Sequence, residues 1–167
     1  MPGRLAGKVA IVTGSGSGIG KSIAIRFASE GATVVVNYRN HPEQAADTKT
    51  KAEAGGGKAI TVQADVSKIA DTYNLVDQAY QQLGRCDILV NNAGIQKRAD
   101  FCDVTERDYD AVLDVNLKGA FFLTQAFVRR LRDAKQPAAS STPAPSTRTW
   151  SSPTSPPIAP LREASAC

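Results

Sequence analysis

The chain has 167 residues, 42% of them hydrophobic and 22% charged, with a net charge of +4. That is one globular domain's worth of chain, and its basic residues are too scattered to mark a nucleic-acid surface. The three cysteines (Cys86, Cys102, Cys167) lack metal-type spacing, no apolar run reaches membrane-spanning length, and Met1-Pro2-Gly3-Arg4 opens no signal-peptide core. These features predict a cytoplasmic protein that binds no metal, no membrane and no nucleic acid.

Along the chain, the apolar run Val9–Val12 comes first. It leads into Thr13-Gly14-Ser15-Gly16-Ser17-Gly18-Ile19-Gly20 and then an amphipathic stretch. This is a strand, a glycine-rich turn and a helix start. A nucleotide pyrophosphate rests on such a helix end, where free N–H groups and the positive end of the helix dipole converge. Short residues in the turn let the backbone approach the phosphates.

Further runs at Thr33–Val36, Ala59–Val62 and Ile88–Val90 are continuously apolar, which predicts parallel strands buried on both faces. Helical stripes lie between them. Ile19, Ile23, Phe27 and Ala28 form one, and Ile69, Tyr73, Val76, Tyr80 and Leu83 another. Gly31, the run Gly55-Gly56-Gly57, and Gly84 stop these helices. A long helix over about 106–133 follows, with Asn116 on a stripe with Tyr109, Leu113, Leu117 and Ala120. A core-facing amide there must find a partner. The alternation predicts a doubly wound α/β parallel sheet.

Three more features gather at the carboxyl rim of that sheet. Asp65-Val66 follows the third strand and places a carboxylate where an adenine amino group could be held. Asn91-Asn92-Ala93-Gly94 follows the fourth. At the end of the second strand a carboxylate would grip the ribose hydroxyls of NAD. This chain instead has Asn37 and Arg39, neutral and cationic, which favours NADP over NAD. His41 sits at a helix start remote from the chemistry, and Cys86 reads as a small buried hydrophobe.

Together Thr13-Gly14-x-x-x-Gly18-Ile19-Gly20, Asp65-Val66, Asn91-Asn92-Ala93-Gly94 and Asp114-Val115-Asn116 resemble the short-chain dehydrogenase/reductase family. Leu5-x-Gly7-Lys8-Val9 and Val34-Val35-Val36-Asn37-Tyr38-Arg39 look most like its glucose 1-dehydrogenase branch. The resemblance implies the N-terminal part of a Rossmann-type fold and hydride transfer between a nicotinamide cofactor and an alcohol or carbonyl substrate. Gly14, Ser17, Ile19, Asp65, Val66, Asn92 and Gly94 would contact the dinucleotide, with Ser15, Gly18, Gly20, Asn91 and Ala93 beside them. Asn116 would be the active-site asparagine that holds a water of the proton relay.

The family's serine, tyrosine and lysine have no counterpart, since no tyrosine follows Tyr109. After residue 135 the character changes. Seven of the nine prolines lie there among Ser, Thr and Ala, which predicts a disordered tail over 136–167 behind an incomplete dinucleotide-binding domain over 1–135. Without later strands, the fourth strand is expected to be an open edge and the product poorly soluble. The helices through which the family forms homo-oligomers are expected to be missing. A dinucleotide-binding module without catalysis is the alternative.

A one-base shift near codon 137 would account for the tail. Ile158 and Arg162 can conceal tyrosine and lysine codons four residues apart, and Ala144 and Pro145 can conceal serine codons. Sequencing the gene across codons 135–140 is expected to show that the shifted frame restores a Ser…Tyr-x-x-x-Lys segment. Codons unable to encode it would dismiss the idea.

Overall fold

The computed structural model describes residues 3–134 and 139–141. Strand β1 (Val9–Val12) is apolar and buried at every position, as a strand covered on both faces must be. It lies between β2 (Thr33–Tyr38) and β4 (Ile88–Val90); with β3 (Lys58–Gln63) and β5 (Ala139–Ser141) at the edges, the parallel sheet runs β3-β2-β1-β4-β5. Helices α1 (Gly18–Ser29) and α2 (Pro42–Ala54) cover one face. Helices α3 (Ile69–Leu83) and α5 (Ala120–Asp133) cover the other. The alternation of side chains along each strand divides the core accordingly. Ile11, Val35 and Leu89 pack with Leu75, Leu123 and Phe127 on one side. Val12, Val34, Val36 and Val90 pack with Ala24, Ala28 and Ala45 on the other.

The doubly wound α/β architecture is the expected one, with several differences in detail. Strand β3 (Lys58–Gln63) is the sheet's edge, so only Ala59 and Val62 are buried. An edge strand needs no second apolar face. Helix α1 meets the sheet through Gly20, Ala24 and Ala28 rather than through its larger residues, and Ile19 is 76% exposed. Small residues permit the close approach, while Ile23 and Phe27 flank it. In α3 the buried line is Thr72, Leu75, Val76 and Ala79, with Tyr73, Tyr80 and Leu83 packed at its margin.

The long helix is continuous over Glu106–Asp133. It comprises α4 (Glu106–Leu113), a π-helical turn over Asp114–Gly119, and α5. By length and composition it is the one helix among the described residues that could cross a bilayer, although Asp114 and Lys118 interrupt its apolar residues. Its α5 portion nonetheless supplies Leu123, Ala126, Phe127 and Leu131 to the core. The predicted stripe does not face that core: Tyr109 and Leu117 are 57% and 63% exposed. Helix α4 buries none of its residues, so apolar side chains there carry no core signal.

The fourth strand is not an open edge. Ala139–Ser141 forms β5 and pairs in parallel with Ile88–Val90. Three residues of the expected disordered tail are therefore a strand. The rest of that tail, including Ala144, Pro145, Ile158 and Arg162, lies outside the described residues.

At the foot of β1, the buried Asp87 carboxylate accepts from the Val9 amide at 2.9 Å and from both arms of the Arg85 guanidinium. Lys8 stands 3.7 Å away. Burial opposes ionisation of Asp87, but Arg85, the Val9 amide and Lys8 outweigh it and hold the carboxyl below its ordinary 3.8. A depressed folded-state pKa gives stability that is complete above the unfolded value and fades as pH falls through the folded one. Asp87→Ala is therefore expected to lower the unfolding free energy at pH 7 by about 2 kcal/mol. In urea denaturation the gap from the native chain should shrink in strong acid. A gap that is unchanged at acid pH would contradict this role.

Candidate dinucleotide site

The loops at the carboxyl ends of β1, β2, β3 and β4 enclose a cleft of about 360 Å³. Its floor is the turn between β1 and α1. Gly14 and Gly18 adopt φ of +59° and +57°, a left-handed conformation costly for any residue with a Cβ. Two amides of the turn point inward. Gly14 N donates to Asn37 Oδ1 at 3.1 Å and Ser15 N to the Asn37 carbonyl at 2.9 Å. The Ser15 hydroxyl donates to the Val12 carbonyl at 2.7 Å and accepts from Asn37 N at 3.1 Å. Ser15 thus has no donor left for a ligand. The available donors are the first amides of α1, at Gly18, Ile19 and Gly20, which have no acceptor within the helix.

The wall opposite is tied to this floor. Thr13 Oγ1 accepts from the amides of Asn92 and Ala93 at 2.9 and 3.0 Å. Asn92 Nδ2 donates to the carbonyls of Thr13 and Gly14 at 2.9 and 3.3 Å. Gly20 lies beneath: an added Cβ would come within 2.7 Å of the Gly14 carbonyl and would collide with the Asn92 amide. The last glycine of the turn therefore serves the joint between turn and wall.

The remaining predicted residues separate into two groups. Gly14, Ser17, Arg39, Asp65, Val66, Asn92, Ala93 and Gly94 line the cleft. Asp65 Oδ1 is occupied by the Ser67 amide and hydroxyl at 3.1 and 2.8 Å, which leaves Oδ2 uncommitted among the described residues. The Arg39 carbonyl accepts from Gln63; its guanidinium has no partner among the described residues. Asn37 borders the cleft but is only 2% exposed, and its amide faces the protein. Its neutrality therefore says little about the ribose, contrary to expectation, and Arg39 is the informative residue.

Asn91 lies outside the cleft. Its Nδ2 donates to Thr124 Oγ1 at 2.9 Å, and it borders a separate cavity of about 10 Å³ with Thr13, Val66 and Val115. Asn116 is exposed rather than core-facing. It pairs with the backbone of Ile95, donating to the carbonyl at 3.0 Å and accepting from the amide at 2.9 Å. The π turn that carries it is a form often found at functional sites.

His41, with Tyr38, Asn40 and Gln44, forms the rim of the cleft beside Arg39. These residues escaped notice because polar residues at a helix start look the same whether or not a cleft opens beside them. Thr48, which donates to the Gly16 carbonyl at 3.1 Å and fastens α2 to the turn, left no sequence signal either. Cys86 is buried as expected, and burial pushes its thiol up to about 12, which removes it as a nucleophile.

The short chain dehydrogenase family model matches residues 8–139. The chain belongs to that family. Its members are NAD(P)-dependent oxidoreductases acting on small molecules. Elsinochrome reductase 1 of Elsinoe fawcettii is 44% identical over 128 residues, which are 77% of this chain and 48% of that protein. A short chain dehydrogenase from Burkholderia cenocepacia J2315, solved with NADP, is 42% identical and superposes with a TM-score of 0.73. The match covers 75% of this chain and 51% of that one. A short-chain type dehydrogenase/reductase from Mycobacterium marinum gives a TM-score of 0.79 at 33% identity, over 83% of this chain and 56% of that one. The chain spans about half the length of the curated relatives it matches.

Gly20→Ala tests the joint between turn and wall. Overpacking there is expected to cost about 1–3 kcal/mol of stability, read by chemical denaturation. A neutral substitution would show that the contact is loose.

Proposed function

We propose that this chain is the dinucleotide-binding half of an oxidoreductase that takes NADP, with NAD as a second cofactor. One observation carries the reading. Ser17, at the amino end of α1, and the Arg39 guanidinium, unpaired among the described residues, line one cleft at the carboxyl edge of a parallel sheet, and the amides of Gly18, Ile19 and Gly20 follow Ser17 directly. Ligands of open α/β sheets bind at that edge. Gly18, Ile19 and Gly20, with Ser17, would hold the pyrophosphate. Asp65 would take the adenine amino group beside Val66, Arg39 the 2′-phosphate, and Asn92-Ala93-Gly94 the nicotinamide side. When bound, the nicotinamide would exchange a hydride with an alcohol or carbonyl carbon.

The 167-residue polypeptide is expected to bind without turnover. A carboxamide does not titrate, so Asn116, already paired with Ile95, moves no proton by itself. The phenol and ammonium that perform acid–base work in this family have no counterpart after residue 109. A free phenol, with a pKa of about 10, needs such a cation to act near neutrality. The Pro-rich sequence beyond residue 136 supports an out-of-frame origin for the tail, and the likeness of residues 5–9 and 34–39 supports a sugar substrate for the intact enzyme. Free thiols at Cys86 and Cys102 fit a reducing cytoplasm. A second reading has one observation in its favour: Ala139–Ser141 joins the sheet, as a native tail would. The chain would then be a binding module without catalysis, and its gene would conceal no catalytic segment.

Calorimetric titration of the native chain and Arg39→Ala with NADP and NAD tests the proposal. Loss of a charge-assisted phosphate contact should weaken NADP about tenfold to a hundredfold and leave NAD nearly unchanged. Equal losses for both would remove Arg39 from the phosphate. Glucose-dependent reduction of NADP by the purified chain would refute the absence of turnover.

A further inference from the structure

We propose that Asn37 is a positioning residue: a buried amide that fixes the phosphate turn, the end of β2 and the loop after β3 relative to one another without touching the ligand. The inference rests on the dinucleotide reading of the cleft. Asn37 is the last fully buried residue of β2, and its side chain bonds the backbone of the segments on either side. Oδ1 accepts from Gly14 N at 3.1 Å. Nδ2 faces the carbonyls of Ala64 and Val62 at 3.1 and 3.3 Å. Its own amide and carbonyl complete the connection through Ser15.

The chemistry calls for an amide. One end must accept from a backbone N–H while the other donates to carbonyls that β3 leaves at its finish. A carboxylate of the same shape would still serve Gly14 but would aim a second negative oxygen at Val62 and Ala64. An apolar residue would strand all three groups in a buried place, where an unmade hydrogen bond is costly. Asp65 follows Ala64 directly, and Arg39 lies two residues beyond Asn37. A slip at this residue would therefore displace the turn, Arg39 and Asp65 with respect to each other.

Asn37→Asp in the full chain tests this, with affinity for NADP and NAD measured between pH 5 and 8 and expressed relative to the native chain. Arg39, His41 and Asp65 border the same cleft and are common to both proteins, so the ratio removes their contribution. At pH 8 both dinucleotides should bind about tenfold or more weakly, a loss of about 1.4 kcal/mol. The deficit should close as pH falls, because protonation gives the carboxyl an O–H to donate toward the Ala64 carbonyl. A variant equal to native at pH 8, or a deficit independent of pH, would overturn the proposal. A loss confined to NADP would make Asn37 a direct phosphate contact instead.

Amide hydrogen exchange without ligand supplies an independent readout. In the native chain Gly14 N–H should exchange more slowly than Gly18 N–H, and Asn37→Ala should abolish the difference. Rapid exchange of Gly14 in the native chain would refute the clamp even if neither variant folds. A native chain that binds neither dinucleotide yet protects Gly14 would refute the cofactor reading while upholding the clamp.

Discussion

The structure depends on the position of β1 as the strand with neighbours reached in opposite directions. From β1 the chain winds outward through β2 to β3, then returns through α3 to place β4 on the other flank of β1. The loops leaving β1 and β4 must therefore part, and a crevice opens between them at the carboxyl edge. No side chain has to be spent to hollow it out. The order of four parallel strands creates it, and each loop that follows a strand becomes one of its walls.

Backbone hydrogen-bonding groups then decide which parts of those walls can take a ligand. A buried amide needs a partner, and this chain provides internal ones on both sides of the crevice. Thr13 and Asn92 join the β1 turn to the β4 loop, while Ser15 and Asn37 join it to β2. What remains unspent is the amino end of α1, where helix geometry leaves donors without acceptors. The cleft thus has an internally bonded floor, and the free donors follow directly after Ser17 at its border. The same division explains why residues of one motif differ in role. Ser17 faces the cleft, Ser15 is wholly committed inside, and Gly20 makes room for a neighbour's amide.

Most of this architecture was legible in the sequence because burial on both faces forces continuous apolar runs. Val9–Val12 and Ile88–Val90 have the bounds their composition implied. Gly31 and Gly84, at φ of +91° and +73°, end the helices they were expected to end. Periodicity misled where an element had less to pack against. The run Ala59–Val62 reads as an interior strand but β3 is an edge, and the stripe through Tyr109 and Leu113 reads as core-facing although α4 buries none of its residues. Strand β5 was illegible because Ala139, Ser140 and Ser141 carry no strand signature of their own; their place is set by β4. Within the site, the sequence disclosed which segments meet, since each follows a strand. It did not disclose which side chains turn inward, because Asn37, Asn91 and Asn116 find their partners on segments far away in the chain.

On the proposed reading, a preformed cleft at the β1 switch point, rather than any single residue, would give this chain its affinity for a dinucleotide. A crystal structure of the chain grown with NADP tests that claim most directly. It should place the pyrophosphate on the amides of Gly18–Gly20, the 2′-phosphate at Arg39 and the adenine beside Asp65, with the turn unmoved. A dinucleotide bound elsewhere, or a turn that has to rebuild itself to admit one, would contradict it.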